Sequence, residues 1–458
     1  MRRRGSGRQT RACGTKRRWL PSVASLNERR QFQNFSCCHH FFFLFAGLYL
    51  WARPVYDIVL TWYGIHPFDF PFLDLDAITA AVECFRRGLD VYNPNPCDVL
   101  GRPHSYSPLW LAASVLPVSR AWTTPLGLGL DLTFLLSLAA LPTPAERRNE
   151  WLMLAAVLST MSVYAVERAN IDVIMFLLTL FAGIALAGPS NGGGTAAGRQ
   201  YGYPLILLAA LLKFYPIAGL LVSFRERRIV FVTVILVMLG AVVSFIAAEH
   251  NELARVFAII PAGPYYTDFF GAKNLPYGII ELIYGQAWGA MIHLLALVLL
   301  VILCSRTLLF AAALARRQVL QIALAGLADR EKIFLILGSA MIVGCFFAGQ
   351  SIGYRGIFFL LVLPGLVALG CGTPSDEASN CYRNIAQLIV FVMWSDVLRH
   401  IIFAAQPLYL PGWGVIAAAF WLTREIIWWY IVAVLSGILL CFVLISPVWC
   451  APRRTDSL

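Results

Sequence analysis

The residue types best suited to chemistry are concentrated in one polar stretch near the start of the chain, FDFPFLDLDAITAAVECFRRGLDVYNPNPCDVLGRPHSYSPLW, residues 68 to 110. Asp74 and Asp76 stand two residues apart beside apolar sequence. Burial there would raise a carboxylate's pKa toward the working range of a general base. The following run, Ala77 to Arg87, can form an amphipathic helix ending at Gly88, so Asp76 has a second possible use as its N-cap. Capping accounts for one aspartate and not for both.

Three further clusters carry hydrogen-bonding and cationic groups. YAVERANIDVIMFLL brings Glu167, Arg168, Asn170 and Asp172 into one short turn. DFFGAKNLPYGIIELIYG carries Asp268, Lys273 and Asn274, and AGQSIGYRGIFFLLVLPGL carries Gln350, Tyr354 and Arg355. The bases among them fit a phosphate, because arginine's planar fork matches phosphate oxygens and lysine supplies a point charge. Tyr106 and Tyr354 offer aromatic faces and hydroxyls for stacking or hydrogen bonding, although tyrosines also serve as membrane-interface anchors. No metal site is expected, since two aspartates are too few ligands, and a divalent ion stays open.

The elements that must position these groups are read from composition. Of 458 residues, 59% are hydrophobic and 13% charged, with a mean hydropathy of +0.70, which excludes an ordinary cytosolic enzyme. The formal charge of +11 is lopsided: the first 30 residues hold ten Lys or Arg against one acid, and the remainder is close to neutral. A nucleic-acid partner is not expected, because no basic patch interleaves with aromatics beyond that arm. Apolar runs near 41 to 62, 122 to 141, 150 to 166, 170 to 187, 229 to 248, 287 to 305, 332 to 350, 356 to 371, 385 to 405 and 426 to 446 predict about ten transmembrane helices. The expected fold class is therefore all-α and polytopic: a basic arm (1–38, expected to be disordered), one transmembrane domain (39–450) with an outer loop at 63–107, and a short tail (451–458).

The positive-inside rule keeps the basic arm cytoplasmic and sends the 63–107 loop to the other face; an even span count returns the C-terminus to the cytoplasm. Arg168, Lys273 and Arg355 are then exceptions on the outer side. Tyr203 to Phe224 is long enough to cross, but crossing would place Arg225, Arg227 and Arg228 outside. Its centre, Lys213-Phe214-Tyr215-Pro216, breaks a helix, which predicts a re-entrant hairpin of two half-helices. Lys213 then lies deep in the membrane and must either snorkel or meet an anion.

Residues 188 to 202 read as a flexible linker, and 408 to 423 as interfacial. Cys84 and Cys97 share the first outer loop and could pair in an oxidising compartment.

At these residues the chain resembles the GT-C membrane glycosyltransferases, in particular glycosyltransferase family 87 and the catalytic subunit of GPI mannosyltransferase I. Asp74-Leu75-Asp76 is similar to the family's acidic motif in the first outer loop. Gly88 to Tyr92 resembles its "G..pY" step, and Tyr106-Ser107-Pro108-Leu109 its "YtPL" segment. Arg168-Ala169-Asn170-Ile171-Asp172 resembles an "RGN.D" turn, with alanine for glycine, and Lys213 to Pro216 a "K.yP" break. Lys273-Asn274-Leu275-Pro276 matches "(H/R)N..P" loosely, and Gln350 to Arg355 resembles a late Gln/Tyr turn. The resemblance covers residues 70 to 225 well and thins afterwards.

It implies a transferase that takes a hexose, expected to be mannose, from a polyprenyl-phosphate sugar to a lipid or glycan acceptor, with inversion. Asp74 and Asp76 are the expected catalytic residues. Arg168, Asn170, Asp172, Lys213, Lys273, Asn274, Gln350, Tyr354 and Arg355 are the expected donor and substrate contacts. The expected location is a bacterial plasma membrane, among membrane lipids. A transporter or lipid flippase is the rival expectation, which internal repeats and midplane charges would favour.

Overall fold

The structure, a computed structural model, describes residues 44–142 except 46, 147–187, 196–260, 263–266, 269–285, 289–371, 376–404 and 413–449. The expectations for the basic arm, the C-terminal tail and Asp268 lie outside the described residues. Within them the chain is all-helical, its one β feature being the isolated antiparallel bridge between Phe270 and Ser351.

Eight helices among the described residues are long and apolar enough to cross a membrane, and a ninth, α6 (Ile171–Ala187), is apolar but shorter. The protein is therefore membrane-integral. The first expected span is described only as α1 (Arg53–Trp62) and the residues just before it; Arg53 and Pro54 interrupt the apolar run there. α2 (Leu73–Arg86) lies in the first large loop. α3 (Thr123–Ser137), α4 (Arg147–Val157) and α5 (Thr160–Glu167) precede α6.

α7 (Ala196–Leu212) follows α6, so the latter part of the expected linker, from Ala196, is helical instead. The break falls at Lys213 and Phe214, after which Tyr215–Arg225 forms a 3₁₀ helix. The two ends of this unit meet: Tyr203 Oη donates to Glu226 Oε1 at 3.1 Å, and Arg199 Nε lies 2.9 Å from Glu226 Oε2. The segment thus doubles back as a hairpin.

α8 (Arg228–Ala248) is apolar all round and Met238 is its one buried residue, as expected for a helix facing lipid. α9 (His250–Ile259) and α10 (Asn274–Tyr284) form the next loop region, followed by α11 (Ala290–Ala315) and α12 (Gln318–Gly326). The core is built on α13 (Asp329–Ala348) and α14 (Phe359–Cys371), which are buried along most of their length. Gly365 lets them close up, since a Cβ there would lie 2.7 Å from both the Glu331 carbonyl oxygen and Leu335. α15 (Asp376–Ala404) and α16 (Trp413–Leu444) complete the bundle.

One span assignment is corrected. The stretch 408 to 423 was expected to lie at the interface, but from Trp413 it belongs to the 32-residue α16. In sequence the stretch reads as interfacial because it is rich in Trp and Pro and too short to cross alone, but its helical part runs unbroken into the apolar sequence that follows. The charges at that junction are buried together: Arg424 Nε donates to Ser395 Oγ at 3.0 Å and lies against Asp396 and Glu425. Buried charges survive in such a helix when they are paired.

Candidate functional site

The site starts with an unusual helix entrance. Phe72 has φ +56°, in the left-handed region, and turns the chain directly into α2 at Leu73. Gly127 of α3 makes room, because a Cβ there would sit 2.4 Å from the Phe72 ring. Asp74 and Asp76 consequently both fall inside the first turn of α2, where acids complement the helix dipole. Asp76 is not the N-cap expected of it.

Two residues on a helix are separated by roughly 200°, so the two carboxylates point to opposite faces. Asp76 is fully buried, with Arg120 Nε 2.9 Å from its Oδ1 and Thr123 Oγ1 donating at 3.4 Å. Burial pushes its carboxyl up despite Arg120. Asp74 keeps a side chain 20% exposed, accepts from Asn170 Nδ2 at 2.5 Å and lies 3.7 Å from Arg102 Nη1.

The turn from Glu167 to Asp172 sets Asn170. Ala169 has φ +42° and is fully buried against Phe72 and Leu75. Asn170 then uses both ends of its amide, donating to Asp74 and accepting the Asp172 N–H at 2.8 Å. Arg168 holds the turn from behind. Its backbone oxygen accepts the Asp74 N–H at 3.2 Å, and its guanidinium pairs with Glu167, donates to the His66 carbonyl at 2.8 Å and covers the Phe68 ring at 4.3 Å. That guanidinium is turned away from the cavity described below, so the structure does not bring it together with Lys213 and Arg355.

Glycine at 169 would relieve the left-handed cost but lose a buried methyl, and these oppose each other at about 1 kcal/mol each. Ala169→Gly is therefore expected to unfold within about 1 kcal/mol of the parent. Ala169→Val, β-branched at positive φ, should lose about 2 kcal/mol or more. Thermal unfolding in detergent measures both.

Asp172, fully buried in the first turn of α6, accepts from Lys213 Nζ at 2.7 Å and from Tyr215 Oη at 2.5 Å, with Arg355 Nε at 3.7 Å. Of the two outcomes open to Lys213, snorkelling or meeting an anion, this is the second. The hairpin break therefore delivers a lysine and a tyrosine to one carboxylate, and the short 3₁₀ helix before α14 delivers the arginine.

Lys213 and Arg355 line a cavity of about 540 Å³ together with Tyr106, Lys273, Gln350 and Tyr354. Its other wall is apolar, with Phe214, Phe257 and Phe347. Among its described lining residues no acid occurs. Asp74 interacts electrostatically with three of them, Tyr106, Tyr354 and Lys213. Lys273 is exposed at the rim. Gln350 shapes that rim: its Oε1 accepts the Gly263 N–H at 3.1 Å, and its Nε2 donates to the Pro264 carbonyl at 3.1 Å and to Asn274 Oδ1 at 3.3 Å. Asn274 in turn donates to the Phe269 carbonyl.

Sequence reasoning missed Arg102. It holds Asp98 with three contacts of 2.7 to 3.2 Å, donates to the Leu73 carbonyl at 2.7 Å and reaches Asp74. The i, i+4 spacing of Asp98 and Arg102 was a visible signal; the link to Asp74, 28 residues away, was not. Burial pushes the Asp98 carboxyl up, but Arg102 and two backbone N–H groups outweigh it and hold it below its ordinary value. The Cys84–Cys97 disulfide, expected as possible, ties α2 to this segment.

His104 is buried in the same loop, which pushes its pKa down from 6.5 to about 4. A depressed folded pKa means that its contribution is complete above pH 6.5 and is lost as pH falls toward 4, because the unfolded chain takes the proton first. The loss amounts to about 3 kcal/mol. Unfolding followed across that window should show it, and His104→Gln should flatten that part of the profile.

Because Asp74 and Asp76 diverge, they form no shared ligand pair, and no group of three or more His, Cys, Asp or Glu that could hold a metal occurs among the described residues. No family model, curated protein or solved structure matches the chain.

Proposed function

We propose that the protein is a membrane glycosyltransferase that moves a hexose from a polyprenyl-phosphate donor to a lipid or glycan acceptor at the extracytoplasmic face. The observation that carries this reading is a cavity whose lining holds three cations, of which, among the described residues, Lys213 and Arg355 are answered by the buried carboxylate of Asp172 and Lys273 by none, with the partly exposed Asp74 acting electrostatically on Lys213 and Tyr106. Such a cavity has a charge deficit that a phosphate fills, and its aromatic and apolar wall suits a lipid chain. The Cys84–Cys97 disulfide supports an oxidising, extracytoplasmic setting for the loop that carries Asp74.

In the proposed reaction an acceptor hydroxyl attacks the anomeric carbon from the face opposite the phosphate. Its proton passes to the Asp74 carboxylate, and the electron pair of the breaking bond between carbon and phosphate oxygen leaves with the lipid phosphate. The product is inverted. Lys213, Arg355 and Lys273 would stabilise the charge that develops on the departing phosphate, which is where fixed positive groups lower a barrier. Asn170 and Arg102 would orient the base. Asp76 and Arg168, expected in the site, act in this reading through the backbone of α2 and of the turn.

The test is incubation of membranes containing the protein with radiolabelled polyprenyl-phosphate mannose and a lipid extract. A labelled glycolipid that requires the protein is expected. Movement of unaltered label across the membrane with no new glycosidic bond would instead establish the transporter reading.

A further inference from the structure

A second cavity, of about 400 Å³, opens between α11, α12, α15 and α16. Gly370, at the far end of α14 from Arg355, packs against Tyr382 of its wall. At the helical rise this places the groove roughly 20–25 Å from the charged cavity, at the opposite end of the bundle.

The groove has a head and a body. Arg317, two residues beyond the end of α11, is the cation of its described lining, and it is exposed. Among the described residues its guanidinium has neither a hydrogen bond nor an ion pair. Phe310 lies seven residues earlier on α11, roughly 10 Å deeper along the helix. There it meets Tyr430 of α16 edge-on at 6.2 Å. Ile385 and Val434 continue the apolar wall between these levels. Leu308 and Leu309, beside Phe310, are exposed on a span long and apolar enough to face lipid.

We propose that this groove binds one anionic phospholipid, its phosphate on Arg317 and an acyl chain along Phe310, Ile385, Tyr430 and Val434. Charge complementarity selects the occupant. A phosphodiester answers a guanidinium that has no ion pair among the described residues and stands at the end of a span, where basic pockets between transmembrane helices hold anionic headgroups. The neighbouring Arg316, also exposed, adds to the same potential. A zwitterionic lipid offers the same chains with a cation beside its phosphate, so it should bind less well. The proposal does not depend on the transferase reading.

Native mass spectrometry of the full chain in detergent, titrated with phosphatidylglycerol, phosphatidylcholine or inorganic phosphate, tests it. The expected result is one saturable phosphatidylglycerol adduct, at least about tenfold tighter than that of phosphatidylcholine, with no comparable inorganic phosphate adduct. A tenfold change corresponds to about 1.4 kcal/mol. Arg317→Gln should weaken it about tenfold, and Arg317→Lys should restore part of the loss, because charge returns without the fork. Val434→Trp, which fills the body while leaving the head intact, should weaken it independently. Equal affinity for the two lipids, phosphate binding as well as the lipid, or an adduct unchanged in Arg317→Gln would overturn the proposal.

Discussion

Asp74→Asn is expected to reduce sugar transfer by about 10²–10⁴-fold, the usual contribution of a positioned general base. The substitution is nearly isosteric. An asparagine oxygen can still accept from Asn170, and the backbone bond from residue 74 to the Arg168 carbonyl is untouched, so the unfolding temperature should stay close to that of the parent. Asp76→Asn makes the complementary comparison. It removes the charge that answers Arg120 in a buried setting, and its loss should appear in stability while transfer per folded molecule changes little. Initial rates at saturating acceptor, divided by the amount of folded protein, separate the two. Transfer at parental rate by Asp74→Asn would remove this residue from the reaction.

Asp172→Asn is expected to be the most destabilising single change in the site, at about 3–5 kcal/mol, because it removes the buried carboxylate that Lys213 contacts directly and that faces Arg355 inside the bundle. Tyr215 loses its carboxylate acceptor in the same step. Combining it with Lys213→Met removes one of the stranded cations, and the double variant should recover part of the loss, with a coupling of about 1–3 kcal/mol for groups in direct contact. Thermal unfolding of the four proteins in one detergent closes the cycle. Additive losses would show that Lys213 and Asp172 act independently. The proposed reaction adds a second readout: Lys213→Met, with a lipid phosphate no longer met by that cation, should transfer more slowly even where the protein remains folded.

The hairpin and the two aspartates show where reading the sequence succeeded and where it stopped. Lys213-Phe214-Tyr215-Pro216 announced a helix break because proline's ring and missing N–H act locally. The cost of a bare charge among apolar residues left Lys213 two outcomes, snorkelling or an anionic partner. Which anion answers it is a matter of packing: Asp172 is 41 residues away. The start of α2 was misplaced for a similar reason. Helix signals in the sequence point to Asp76 as a cap, whereas Phe72 enters the left-handed region because its ring finds a slot at Gly127 of another helix. Moving the start back to Leu73 rotates Asp76 away from Asp74 and into contact with Arg120. The 408–423 stretch was misjudged because its Trp and Pro content and short length suggested a separate interfacial segment, whereas from Trp413 it continues without a break into the 32-residue α16.

By itself the sequence determined that this is an apolar, helical, membrane-integral chain, with its chemistry-bearing groups in a few polar turns and a lysine that had to snorkel or find an anion. These are properties of composition and of neighbours along the chain, where covalent spacing is enough. Only the tertiary structure decided which carboxylate meets which cation, that Asp74 rather than Asp76 stays partly exposed, and that Arg102 and Asn170 converge on it. Those contacts join residues 28 and 96 positions apart, and their geometry is set by close packing of helices, which no local pattern encodes.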